Sequence, residues 1–278
     1  MTGRTILLTI LAMLAFAANS LLCRMALGAD LIDAASFATV RVIAGAMTLV
    51  AILVIRGGAQ ITSRLAWRSV LALFAYIVCF SFAYLTLGAG TGALILFGAV
   101  QLTMIAVALH GGERFAPWSF VGLSLAIVGL VWLVAPGLTA PHPGGAVLMA
   151  IAGIAWGAYT LLGRGTDDPL AATAANFLYA VPLVLIVSLI FAADLSVSVM
   201  GLIYAVASGA VASGCGYVIW YAALRGLSAT RAATVQLSVP VLAAFGGVIF
   251  LGEDLTLRLI MATVATLGGV ALVVLQRR

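Results

Sequence analysis

Fourteen residues, Leu11 to Arg24, read LAMLAFAANSLLCR and return 140 positions later as IAGIAWGAYTLLGR, Ile151 to Arg164. Six positions are identical, and Phe16/Trp156 and Ser20/Thr160 are near matches. Apolar helices imitate one another by composition, so matches among Ala and Leu mean little alone. The offset persists, however, in Ala83 and Leu87 against Ala223 and Leu227, in Ala89 and Ala93 against Ala229 and Ala233, and in Gly112-Glu113 against Gly252-Glu253. A polar pair in register with the apolar matches marks a duplication, with a first unit at 1–138 and a second at 139–278. The two units are expected to form one transmembrane domain.

The solvent of this duplicated unit follows from its balance of side chains. With 65% of residues hydrophobic and 8% charged, against a usual share of about a quarter charged, the chain cannot cover itself with a water-compatible surface. An all-α integral membrane protein is expected, with the lipid bilayer as its partner. The 30 glycines suit helices that pack backbone to backbone in lipid. Requiring about twenty apolar residues per crossing, ten spans are placed at 5–27, 35–55, 68–88, 91–110, 115–135, 145–163, 170–192, 198–222, 231–251 and 256–275. Asp33, Asp168 before Pro169, and Thr256 are suited to opening the second, seventh and tenth spans. The stretch from Pro136 to Gly145 resembles a linker between the units. The first span follows Arg4 as a signal peptide would, but its internal counterpart predicts that it is retained.

Orientation follows from arginine placement. With a cytoplasmic N-terminus, Arg4, Arg56, Arg64, Arg68, Arg114, Arg164, Arg225, Arg231, Arg277 and Arg278 fall inside, Arg258 falls outside, and Arg24 and Arg41 lie within helices. Both termini are therefore expected in the cytoplasm. Five helices is an odd number, so the second unit enters the membrane from the opposite side. Such inverted repeats belong to carriers that work by alternating access about a midplane site. The cations lie between apolar runs rather than in a patch, so nucleic acid is not an expected partner. Cys23, Cys79 and Cys215 lie in apolar segments and read as reduced packing residues.

The duplicated five-helix unit, Arg41 in the second span, Pro240 in the ninth, and the Gly-Glu pairs after spans four and nine resemble the EamA family of the drug/metabolite transporter superfamily. The resemblance covers essentially the whole chain. It implies a bacterial inner-membrane exporter of amino acids and related metabolites, with the YddG-like amino acid exporters as the suggested type.

With span midpoints taken as the midplane, Phe16 and Trp156 lie within a turn of it at equivalent repeat positions and are expected to form opposing cavity walls. Trp156, Tyr159, Thr160 and Gly163 share one helical face, and the matching face of span one carries Phe16, Asn19, Ser20 and Cys23. Gln101, Gln236, Tyr76 and Tyr217 are placed to reach inward. An apolar pocket with a few polar groups suits a small amphipathic solute. Interhelical packing and hydrogen bonding is the alternative for Trp156, Asn19, Gln101 and Gln236. Trp67, Trp118, Trp132, Trp220 and Tyr221 fall near span ends and are assigned to the interfacial belt. Arg41 attracts a substrate carboxylate, binds loose helix carbonyls, or snorkels to the surface. Pro240 and Pro182 leave the carbonyls of Gln236 and Leu178 without helical partners, making both candidate hinges or simple kinks. Glu113 and Glu253 are expected to cap the helices that follow them.

No carboxylate lies deep inside a span, which argues against antiport of cationic drugs and for neutral or zwitterionic solutes. An enzyme is not expected. Val211-Ala212-Ser213-Gly214 only faintly resembles a rhomboid serine motif, no histidine lies in a helix core to act as base, and no metal motif or cofactor requirement is present. His110 and His142 do not make a metal site. Export of other metabolites or drugs is the alternative function, with an intramembrane hydrolase far behind. The sequence leaves the exact substrate, the energy source and the oligomeric state open, and a monomer is compatible with it.

Overall fold

The computed structural model describes residues 2–57, 66–112, 117–137, 140–163, 166–227 and 229–275. Arg64, Glu113, Arg114, Arg164, Arg277 and Arg278, together with part of the linker, lie outside the described residues. Ten spans follow one another: α1 (Gly3–Leu27), α2 (Ala34–Ile55), α3 (Trp67–Ala83), α4 (Ala89–His110), α5 (Pro117–Val134), α6 (Pro143–Leu162), α7 (Pro169–Ile190), α8 (Val199–Leu224), α9 (Arg231–Leu251) and α10 (Leu257–Leu275). Among the described residues nine of these are long and apolar enough to cross a membrane, and α3, with 17 residues, is the short one. Among the described residues no strand forms, and an isolated antiparallel bridge joins Ile32 to Val197.

The N-terminal caps are where the sequence puts them. Asp33 accepts from the Ser36 amide at 2.8 Å, Asp168 from the Leu170 and Ala171 amides at 3.1 and 3.0 Å, and Thr256 from the Leu259 amide at 3.1 Å. Glu253 departs from expectation. Its carboxylate accepts from the Ala89 amide at 2.8 and 3.0 Å, so it caps α4 in the first unit rather than the helix that follows it. The α3 helix stops at Ala83, short of the predicted 88, because the chain turns through Tyr84 to Leu87. The Arg24 guanidinium fills that turn, donating to the Tyr84 and Leu85 carbonyls at 3.1 and 3.3 Å.

Helix packing repeats itself. The α1 helix packs on α8 and α9 as α6 packs on α3 and α4, while α2 meets α7 and α5 meets α10. Replacing each helix by the one five places later maps this set of neighbours onto itself. The α5–α10 contact is close enough that a Cβ on Gly122 would lie 2.6 Å from the Gly269 carbonyl oxygen.

Two spans are irregular where they approach the interior. In α8 the residues Ala207–Cys215, reading ASGAVASGC, form a π-helical stretch between two α-helical ends. Small side chains let this widened backbone lie against α2, and a Cβ on Gly209 would collide with the Arg41 backbone. The helix that leads into α9 starts at Ala229, two residues before the span, breaks at Leu237 and resumes at Ser238, two residues before Pro240. By contrast α7 runs unbroken through Pro182, and Leu178 is exposed. Trp67, Trp118 and Trp132 are exposed on the outside of the bundle, as interfacial anchors would be.

Candidate functional site

At one end of the bundle, where α3, α7 and α9 begin and α6, α8 and α10 finish, the helices surround a cavity of about 570 Å³. Small-molecule sites run from about 300 to 1,000 Å³, so one small solute fits. The inward face of α6 makes one wall, with Trp156, Tyr159, Thr160 and Gly163 all lining it. Trp156 lies nearly parallel to Tyr159 and Tyr217, with centroids 5.3 and 5.4 Å away, and 4.8 Å from Tyr76. Polar groups are set between the rings. Asn176 Nδ2 donates to the Tyr159 hydroxyl at 3.3 Å, and the Thr173 and Tyr221 hydroxyls are 2.9 Å apart. Gln101 is buried on the cavity wall, and its Nε2 has no partner among the described residues. Gln236 also lines the cavity, one residue before the break in α9.

The opposite end is closed. A void of about 50 Å³ remains there, lined by Phe16, Asn19, Tyr76 and Ser213 together with Trp156, Tyr217 and Gln236, which it shares with the open cavity. Phe16 packs its ring against Tyr217 and Trp220, with centroids 6.1 and 5.9 Å away. A hydrogen-bond chain runs behind the void. Ser208 Oγ donates to Asn19 Oδ1 at 2.7 Å, Asn19 Nδ2 to the Tyr76 hydroxyl at 3.3 Å, and Arg41 Nη2 to the same hydroxyl at 2.9 Å. Farther out, loops of the two units are tied together. The Asp33 amide donates to the Ser196 carbonyl and the Ser198 amide to the Leu31 carbonyl, each at 2.8 Å, and Arg24 pairs with Glu253 at 3.5 Å.

Trp156, Tyr159, Tyr217, Gln101 and Gln236, singled out from sequence, thus meet on the open cavity. Phe16, Asn19 and Tyr76 border the closed void, and Arg41 borders neither. Arg41 does not snorkel: it is 1% exposed. Its guanidinium carbon lies 4.7 Å from the centre of the Phe80 ring and 5.2 Å from that of Tyr76. A cation at depth costs about 2.5–3.5 kcal/mol on insertion scales, and a desolvated cation–π contact returns about 2 kcal/mol.

Two assignments change. Trp220 is 8% exposed and lines the cavity, as does Tyr221, so both leave the interfacial belt. Helix rotation, not depth alone, decides whether an aromatic ring meets lipid or cavity. Asn176 and Thr173 were missed, although Asn176 carries the same signal as Gln101, an amide inside an apolar span. Among the described residues no cluster of His, Cys, Asp and Glu could hold a metal.

A bundle of apolar spans around a polar and aromatic cavity open at one end is the build of a small-solute membrane transporter. The EamA-like transporter family model matches residues 143–275, from α6 to the end of α10. An uncharacterized protein of Pseudomonas aeruginosa is 53% identical over 274 residues, covering 99% of this chain and 96% of that one. An uncharacterized transporter of Archaeoglobus fulgidus is 27% identical over 248 residues, covering 84% and 86%. The threonine/homoserine exporter RhtA of Salmonella typhimurium is 34% identical over 160 residues, covering 55% of this chain and 52% of the exporter. A solved crystal structure aligns over 100% of this chain and 97% of its own, with a TM-score of 0.68 at 18% identity, a likeness of fold alone. The chain belongs to the EamA family of the drug/metabolite transporter superfamily. It is a multi-pass bacterial membrane transporter, not an enzyme.

Proposed function

We propose that this transporter exports small amphipathic metabolites, amino acids foremost, across the inner membrane, by alternating access around the cavity between two inverted five-helix repeats whose termini are cytoplasmic. One observation carries the mechanism. The repeat-equivalent faces of α1 and α6 are in unequal states, the α6 face lining an open cavity and the α1 face closed against Tyr217 and Trp220. Related halves in unequal states are what a carrier open to one side requires, and their exchange would open the other side. The symmetric pattern of helix contacts supports the repeat.

The mouth lies at the end where α3 and α9 begin, the side that arginine placement assigns to the cytoplasm, so this conformation is read as inward-facing. Substrate class rests on the lining. Aromatic faces with amide and hydroxyl groups, and no carboxylate among the described lining residues, suit a neutral or zwitterionic solute with an apolar side chain. Threonine and homoserine, which the Salmonella relative exports, are neutral zwitterions and agree with the charge of this class, though their side chains are hydroxylated. The substrate contacts assigned are Phe16, Asn19, Tyr76, Gln101, Trp156, Tyr159, Tyr217 and Gln236, with Pro182 and Pro240 as hinges.

Uptake of labelled neutral, basic and acidic amino acids into proteoliposomes, with and without a proton gradient, tests the reading. Transport of neutral or aromatic amino acids without a gradient is expected. Movement of another metabolite or a drug, and of no amino acid, would keep the carrier and discard the substrate.

A further inference from the structure

Arg41 is the charged group the open cavity does not use. Its Nη2 donates to the Tyr76 hydroxyl, while Nε and Nη1 have no partner among the described residues. A fixed charge out of water needs a counter-charge, and the rings of Tyr76 and Phe80 offer only partial negative charge. Seven of the eight carboxylates belong to the described residues and lie at span ends or in connections, so among the described residues none stands at this depth.

The Tyr76 oxygen receives both Arg41 Nη2 and Asn19 Nδ2, and the Asn19 oxygen receives Ser208 Oγ. The surplus that remains among the described residues is the Nε and Nη1 donors of a cation. That surplus is the complement of an anion. Access is short, since Tyr76 and Asn19 border the void that shares Trp156, Tyr217 and Gln236 with the open cavity. Behind Arg41 lies the π-helical stretch at Gly209, an irregularity frequent at functional sites.

We infer that Arg41, seated on Tyr76, is a monoanion subsite on the closed side of the cavity, which takes the carboxylate of the transported solute as the rings of Trp156 and Tyr217 give way. The inference rests on the proposed export of amino acids and deepens it. Arg41 selects solutes bearing one carboxylate over their amides and amines. A small inorganic anion such as chloride has the same chemistry and competes for the same donors.

The test uses the full chain in proteoliposomes, given a labelled neutral amino acid, its carboxamide and its decarboxylated amine, in chloride and in isethionate buffers. Thermal unfolding of the wild-type protein is followed with the same compounds. The amino acid is expected to move about tenfold faster than the amide or amine and to raise the unfolding midpoint most. Arg41→Gln, which keeps amide donors without the charge, erases that preference, and Arg41→Lys retains part of it. Stabilisation and transport that follow chloride, whatever the solute carries, support the subsite and assign it to the inorganic ion. Equal transport and equal stabilisation by all three solutes, with no chloride dependence, overturn the subsite and leave the exporter standing. Conversely, if no amino acid moves while chloride stabilises the wild type and not Arg41→Gln, the exporter reading fails and the subsite survives. The wild-type unfolding series decides by itself where Arg41→Gln does not fold.

Discussion

The Arg24 guanidinium lies 3.5 Å from the Glu253 carboxylate, and each partner closes a helix end at the same turn. Arg24 takes the carbonyls that finish α3, and Glu253 takes the Ala89 amide that starts α4. The pair therefore joins α1, the α3–α4 turn and the segment after α9 at the closed end of the bundle.

Glu253→Ala removes a charge-assisted cap and an ion-pair partner together. Loss of a cap costs about 1 kcal/mol, and the ion pair, whose side chains are 25% and 23% exposed, adds little. The expected outcome is a lower unfolding midpoint, together with faster labelling of a cysteine placed at Asn19 from the closed side. Unchanged labelling would mean that the closed end is held by the loop contacts of Asp33 and Ser198 alone.

Gly209 and Gly268 make a controlled comparison. A Cβ at Gly209 meets the Arg41 backbone, whereas nothing lies within 4 Å of one at Gly268. Gly209→Ala should force α8 from α2 and destabilise the protein by about 1–3 kcal/mol. Gly268→Ala should be neutral or slightly stabilising, since Ala is the better helix former. Equal unfolding midpoints for the two variants would contradict the close approach at Arg41.

Much of this framework is legible in the sequence because lipid allows few solutions. Apolar runs of span length give ten helices, and Asp33, Asp168 and Thr256 mark starts because a helix N-terminus needs an acceptor wherever it lies. What escapes is set by tertiary contact. The early end of α3 depends on Arg24, sixty positions away from the carbonyl of Tyr84. The π-helical stretch in α8 depends on α2 accepting a wider backbone. Trp220 and Tyr221 were misplaced because an apolar span shows no preferred face in hydropathy, so its rotation stays hidden until its neighbours are known.

Trp156 stands among Tyr76, Tyr159 and Tyr217 and borders both the open cavity and the closed void. Trp156→Ala is expected to cut transport by about tenfold or more at unchanged membrane expression, because positioning of the solute is lost. Trp156→Phe, which keeps an aromatic face, should retain part of the rate. Wild-type transport by the alanine variant would remove Trp156 from the site.

Gln101 separates function from packing most directly. A structural amide in lipid pairs with a neighbouring helix, and replacing it by Leu then costs stability. Here Nε2 is buried with no partner among the described residues, a state that costs about 1–3 kcal/mol and that a solute on the cavity wall would relieve. Gln101→Leu is therefore expected to leave the unfolding midpoint unchanged or raise it, while transport falls and stabilisation by added substrate weakens. The measurement is paired thermal unfolding, with and without substrate, beside proteoliposome uptake. A lower midpoint with full transport would assign Gln101 to interhelical bonding and take it out of the binding wall.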